Sequence, residues 1–339
     1  MTSTPRRDRI QRALDHLREG TTEEFASVVP FGPEQYRDPE IARRERDLVF
    51  GRVPSIVAHG SEIAAAGDVL TVRMPRNLVR VERQDDGSAQ VFVEVGGRRG
   101  PALPTQERHG LVWMVDAVGV PIDVADWLGP EVDAILAGYG LEDLRAIRSE
   151  GFDEPANWKL MQDAFTDNYH IQYAHPNTAG KHVHTNVQVV EDFGRHARML
   201  SPRKKIDRWL EEDAGDRDLG RYVIDGHFLL PNSTLLRQPD DHFELLTFRP
   251  HPSDPAWCRM EMRLLVPSVE ASGLTQEKWQ ATWDKNWEIL LAVLHQEDFP
   301  LLRSAQIGLA SASAGGMLLG RNEVVNQIFH RELQGLLDV

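Results

Sequence analysis

The stretch FTDNYHIQYAHP, residues 165–176, places His170 and His175 five positions apart, with Asp167 three positions before the first. Two neutral imidazoles and one carboxylate leave half of an octahedral iron site open for substrate and dioxygen, which suits Fe(II) oxygenase chemistry. On a continuous helix Asp163, Asp167 and His170 fall at i, i+4 and i+7 and share one face. His175 does not join them, because five residues turn a helix by about 500° and set it roughly 140° away. Pro176 disfavours helical backbone at His175, and a helix that breaks there swings both imidazoles toward one point. The spacing alone fits a capped, hydrogen-bonded helix terminus equally well.

Such a site needs a scaffold to hold its donors in place. At 339 residues the chain is long enough for two packed units. Its 38 basic against 52 acidic side chains give a net charge of -14, which argues against a nucleic-acid partner. Charges interrupt every apolar run of the N-terminal MTSTPRRDRIQRALDHLREG, and nowhere do 18 apolar residues run together. The expectation is a soluble cytoplasmic protein with no membrane partner. Cys258 is the one cysteine; in PAWCRMEMRLLVP, which alternates like a strand, it reads as a buried structural thiol.

Residues 1–50 read as a helical arm. Between 51 and 120, alternating runs such as DVLTVRM and AQVFVEV, separated by DDG and GG turn signals, predict a small antiparallel β unit. Residues 121–150 form a connector with a helix near 124–136. Residues 151–339 predict a helix, NWKLMQDAFTDNYHIQYA, then strands near 187–200, 221–230, 242–250 and 256–267, then helices over 275–297, 299–310 and 322–337. The fold class is therefore α+β. GLASASAGGMLLG (308–320) lacks the lysine and spacing of a phosphate-binding loop and reads as a helix end and loop.

NWKLMQDAFTDNYHIQYAHP resembles the iron-site helix of the catalytic α subunits of Rieske non-heme iron, aromatic-ring-hydroxylating oxygenases, with matches at Asn157 to Lys159, Asp167, His170 and His175. RYVIDGHFLLPNSTLL, LHQEDFPLLRSAQIGLAS and NEVVNQIFHRELQGLL resemble later segments of the same family. The resemblance implies a helix-grip catalytic unit and a mononuclear Fe(II) held by His170, His175 and Asp298, with Glu297 as the neighbour in an adjacent register. It gives Asp167 the role of a bridge between an iron-bound histidine and the Rieske cluster of the next subunit. It also implies a small aromatic or heteroaromatic substrate and a homotrimeric ring.

One departure bears on all of this. A Rieske [2Fe-2S] centre takes two cysteines and two histidines. VFVEVGGRRGPALP resembles the first cluster loop, but Gly96 stands for the cysteine and Arg98 for the histidine, and the second loop is missing. The β unit reads as vestigial, without a cluster. Three functional classes follow: an oxygenase fed by an external ferredoxin, a Rieske-bearing subunit or a reducing substrate; a redox-neutral hydrolase or lyase using metal-bound water; and a non-catalytic paralogue subunit. Asn232 and His184 are the candidate pocket residues, with a turn and a solvent-facing loop as the plainer readings. Trp279, Trp283 and Trp287 fall at i, i+4 and i+8, a stripe that predicts packing on the sheet.

Overall fold

The computed structural model describes residues 4–211, 220–239, 242–311 and 315–338. Its larger sheet has seven antiparallel strands: Arg145–Glu154, Val189–Asp192, His196–Pro202, Val223–Leu229, Ser233–Arg237, Phe243–Pro250 and Cys258–Val266. The last six form a meander in chain order, and Arg145–Glu154 joins beside Cys258–Val266 at the far edge. Two of these strands differ from the sequence expectation. Arg145–Glu154 lies where the end of the connector and the residues before the NWKLMQDAFTDNYHIQYA helix were expected, and Ser233–Arg237 lies between the strands expected near 221–230 and 242–250.

Successive residues of a strand point to opposite faces. On Cys258–Val266, Met260, Met262 and Leu264 take one face and Arg259, Glu261 and Arg263 the other, yet nearly every position is buried. Both faces are covered. The apolar face receives the helix Gln276–Val293, capped by Thr275, whose side chain accepts from Lys278 N. Trp279, Trp283 and Trp287 form its buried stripe, and each large apolar side chain removed from water contributes roughly 2 kcal/mol. The chain then passes through a π-helical segment, Leu294–Asp298, into the helix Phe299–Ala310.

The charged face meets the small β unit. Four strands, Val69–Arg73, Leu78–Arg83, Ala89–Val95 and Arg98–Leu103, form one sheet of that unit, and Ser55–His59, Thr105–Arg108 and Leu111–Met114 form another. The unit has its own core around Val57, Val79, Val81 and Val91. Gly96 and Gly97 both have positive φ and close the tight hairpin between Val95 and Arg98. Arg99 pairs with Glu82 and stacks over Phe92 within this sheet. Within the larger sheet Arg249 Nη1 lies 2.6 Å from Glu261, and across the contact Arg249 Nη2 donates to the Ile56 carbonyl at 3.2 Å and Arg263 Nε lies 2.7 Å from Glu62. Arg263 also donates to the Val57 carbonyl at 3.0 Å.

The helix Thr4–Glu19 packs Ile10, Ala13 and Leu14 against Val189, Leu200 and Val223. Of the stretch 308–320, residues 312–314 lie outside the described residues; Met317–Leu319 is a short strand paired with Val29–Phe31 rather than loop. Among the described residues no helix is long and apolar enough to cross a membrane.

Candidate metal centre and cavity

The predicted long helix is two pieces. It starts at Trp158, capped by the Asn157 side chain at 2.9 Å, and stops at Ala164. Thr166 Oγ1 donates back to the Gln162 and Asp163 carbonyls, which closes the last turn. Asp163 therefore does not share a face with Asp167. It turns instead to His330, 2.9 Å away, and to the Tyr36 hydroxyl at 3.3 Å. Trp158 and Lys159 are also structural: the indole donates to Glu45 at 2.8 Å, and the Lys159 ammonium is buried against the same carboxylate.

A second short helix, Ile171–Ala174, carries one histidine at each end. His170 precedes it with helical backbone, and His175 leaves it at φ -119° and ψ 39°, as expected before Pro176. The two rings come to 5.3 Å between centroids at 75° to each other. Asp298 arrives from the π-helical segment. His170, His175 and Asp298 each offer a ligand atom within 4.8 Å of the others.

The imidazoles are oriented from behind. Asp167 Oδ1 lies 3.0 Å from His170 Nδ1 and accepts the His170 backbone N–H at 3.0 Å. Glu297 Oε2 lies 2.7 Å from His175 Nδ1 and accepts from Thr178 Oγ1 at 2.6 Å. Asp298 Oδ1 is 3.1 Å from His175 Nε2. Burial works to lower the His175 pKa, but the hydrogen bonds and charges of Asp298 and Glu297 outweigh it, and the net shift is upward. For Glu297, burial raises and the bonds from Thr178 and His175 lower, with a net downward shift.

Asp167, His170, His175, Thr178 and Asp298 line a cavity of about 440 Å³. Phe165, Met199, Leu236, Leu246, Met262 and Leu290 supply much of its apolar wall. The other two sequence candidates lie elsewhere. His184 is a surface partner of Asp207 at 2.6 Å, while its neighbour His182 reaches the cavity. Asn232 is fully buried away from the cavity, where its Nδ2 donates to the Phe248 carbonyl at 2.9 Å and ties the hairpin. Sequence reasoning missed Glu297 and Thr178 as the supports of His175, although the Glu–Asp pair was in view, and it missed Glu244 and Gln238 in the cavity wall.

The family model described as the ring hydroxylating alpha subunit (catalytic domain) matches residues 141–338. The glycine betaine monooxygenase oxygenase subunit of Chromohalobacter salexigens is 25% identical over 187 residues, 42% of this chain and 42% of that protein. The large oxygenase component of the naphthalene 1,2-dioxygenase system of Pseudomonas aeruginosa is 38% identical over 66 residues, 20% of this chain and 15% of that one. The chain thus spans less than half the length of these curated relatives in its matches. Among solved structures, a quaternary ammonium Rieske monooxygenase involved in carnitine oxidation by gut microbiota has a TM-score of 0.72 at 17% identity, covering 90% of this chain and 94% of that one. Naphthalene 1,2-dioxygenase from Rhodococcus sp. bound to indole has a TM-score of 0.65 at 15% identity, covering 99% of both chains.

Proposed function

Since the chain belongs to the ring-hydroxylating α-subunit family, we propose that it is a mononuclear non-heme iron oxygenase, with His170, His175 and Asp298 as iron ligands and a small organic substrate held in the adjoining cavity. The observation that carries this reading is the convergence of three donors from two distant segments beside an apolar cavity. The donor set fits Fe(II). Each imidazole has its Nδ1 against a carboxylate, which holds the proton on that nitrogen and leaves Nε2 to a metal, at His175 once the metal displaces the proton shared with Asp298. Fe(II) in a set of two imidazoles and one carboxylate supplies the binding and activation of dioxygen.

The residues of the chain do the rest. Asp167 holds His170, while Glu297 and Thr178 hold His175. Phe165, Leu246 and Met262 keep water from the substrate and orient it against the ligand face. The relatives named for glycine betaine and for naphthalene act on very different molecules, so the substrate class rests on this cavity's own chemistry. The catalytic unit in this proposal runs from the Arg145 strand onward, with 51–120 as the accompanying β unit.

We infer that electrons enter from outside that β unit. The chain of 339 residues has one cysteine, Cys258, buried in the larger sheet, where burial pushes its thiol pKa up. The segment that resembles a cluster loop is closed by the two-residue turn at Gly96 and Gly97. A ferredoxin, a Rieske-bearing subunit or a reducing substrate would then be the donor, and a homotrimer loses its electron-transfer rationale.

The test is metal and acid-labile sulfide analysis of protein purified anaerobically, beside His170→Ala, followed by turnover under labelled dioxygen with a chemical reductant. About one iron per chain, lost in the variant, without labile sulfide and with label in the product, is expected. Zinc in place of iron, or label taken from water, would overturn the oxygenase reading in favour of a redox-neutral hydrolase or lyase.

A further inference from the structure

Of the ionisable groups in the cavity wall, the proposed iron site leaves the exposed His182 and the buried Glu244 unused. Glu244 lies on the cavity face of the larger sheet, in a transverse row that runs Met199, Gly226, Leu236, Glu244, Leu264. The members between Val190 and Leu264 are otherwise apolar or glycine, and the row ends at Arg148 on the edge strand, whose guanidinium pairs with Asp284. Glu244 is 6% exposed and lines the cavity.

Other buried acids of this sheet each meet a guanidinium. Glu154 lies 2.7 Å from Arg303, Asp225 2.6 Å from Arg198, and Glu261 2.6 Å from Arg249. Glu244 meets none among the described residues, where its hydrogen-bond partner is Gln238, whose Nε2 donates to Oε1 at 3.1 Å. The contrast extends to ionisation. Burial pushes Glu244 up to about 7 against the hydrogen bond from Gln238, whereas Arg249 and Arg263 overcome burial and hold Glu261 at about 2. A buried carboxylate without a counter-charge is destabilising by itself, and a cation brought into the cavity relieves it.

We propose that Glu244 is the specificity-determining residue of this cavity and selects a small organic substrate bearing a nitrogen cation. The inference rests on the cavity being the substrate site of the proposed oxygenase, and it names the class of that substrate. Gln238 fixes one carboxylate oxygen and leaves the other for the cation. The hydrocarbon part of the substrate packs on Leu236, Leu246 and Met262 and extends toward His170, His175 and Asp298, which line the same cavity.

The test is calorimetric titration of wild-type protein and Glu244→Gln with benzylammonium, benzyl alcohol and benzoate at neutral pH. Benzylammonium is expected to bind the wild type at least about tenfold more tightly than benzyl alcohol, with benzoate excluded, and to lose that advantage in Glu244→Gln. Equal binding of the cation and the alcohol by the wild type, no binding of either, or an unchanged preference in the variant would overturn the proposal. The wild-type comparison decides the matter even where the variant fails to fold. Titration needs no turnover, so a failed preference leaves the iron analysis standing, and a missing iron site leaves the preference standing.

Discussion

Glu297 and Asp298 are consecutive in the chain yet face opposite nitrogens of one imidazole, Glu297 at 2.7 Å from Nδ1 of His175 and Asp298 at 3.1 Å from its Nε2. Consecutive side chains on a regular helix diverge by about 100°. The π-helical widening over Leu294–Asp298 is the local feature that accompanies this grip.

Glu297→Ala therefore leaves all three donors in place and removes the group that orients one of them. Iron affinity, measured by competition with a chelator, is expected to fall about 10- to 100-fold. Asp298→Ala is expected to abolish stoichiometric binding. Equal losses in the two variants would contradict the division of roles.

Metal binding should depend on pH through His175. Its folded pKa is raised above the ordinary value of about 6.5 by Asp298 and Glu297 against burial. In the metal-free protein this protonated imidazole contributes stability that is fully present below about 6.5 and is lost as pH rises through the folded value. A metal must displace the proton, so affinity should rise with pH across the same window, with one proton released per ion. Potentiometric titration of metal uptake checks the count.

His196 carries the opposite sign. Its Nε2 donates to the Trp127 carbonyl at 3.0 Å while Nδ1 accepts from Leu230 N–H at 3.1 Å, which fixes a neutral tautomer. Burial, with a smaller push from Arg195 and opposed by the Trp127 bond, lowers its pKa to about 4. The unfolded chain takes up a proton near 6.5 that the folded chain refuses. Stability is full above that value and falls as pH drops toward 4. In thermal melts across this range, His196→Gln is expected to be less stable at neutral pH but to lose less on acidification.

The charged seam between the two sheets should be sensitive to losing its carboxylate. Glu261 faces Arg249 and Arg263, and both guanidinium groups are nearly inaccessible to solvent. Glu261→Gln leaves Arg263 with Glu62 and Arg249 with no carboxylate partner among the described residues. A loss of about 3–5 kcal/mol is expected in denaturant melts. Arg99→Ala, at the exposed end of the Glu82 pair, is expected to cost under about 1 kcal/mol.

The parts of this fold that were legible in the sequence are those where one physical signal dominates. The strands at Val223–Leu229 and Cys258–Val266 show in their patterning, and the tryptophan stripe at 279, 283 and 287 shows at helical spacing. Arg145–Glu154 was not legible because RAIRSEGFDE is an edge strand, exposed or half-exposed at most positions and rich in charge. The helix break after Ala164 has no proline or glycine to mark it; Thr166 makes it by bonding backward. Glu244 in FELLTF reads as an outward-facing strand residue until the sheet is seen to be covered on both faces. Asn232 was singled out by position in a resembling segment and His184 as a histidine that follows the site in the chain, and both are absorbed by local hydrogen bonds that no spacing rule contains.

The pairing of Arg145–Glu154 with Cys258–Val266, and the 122 positions separating His175 from Glu297, have a consequence for the order in which the chain acquires structure. Loop closure over such distances is slow and must precede any reward from the contacts it makes. During synthesis the first strand of the sheet waits, unpaired along its edge, until its neighbour has been made, and the two histidines wait longer still for the carboxylates that grip them. Premature release of the chain before residue 258 would yield an open sheet, and release before residue 298 a half-built donor set. A nascent chain arrested at successive lengths should therefore resist proteolysis first in the small β unit, and only last in the segment that holds His170 and His175.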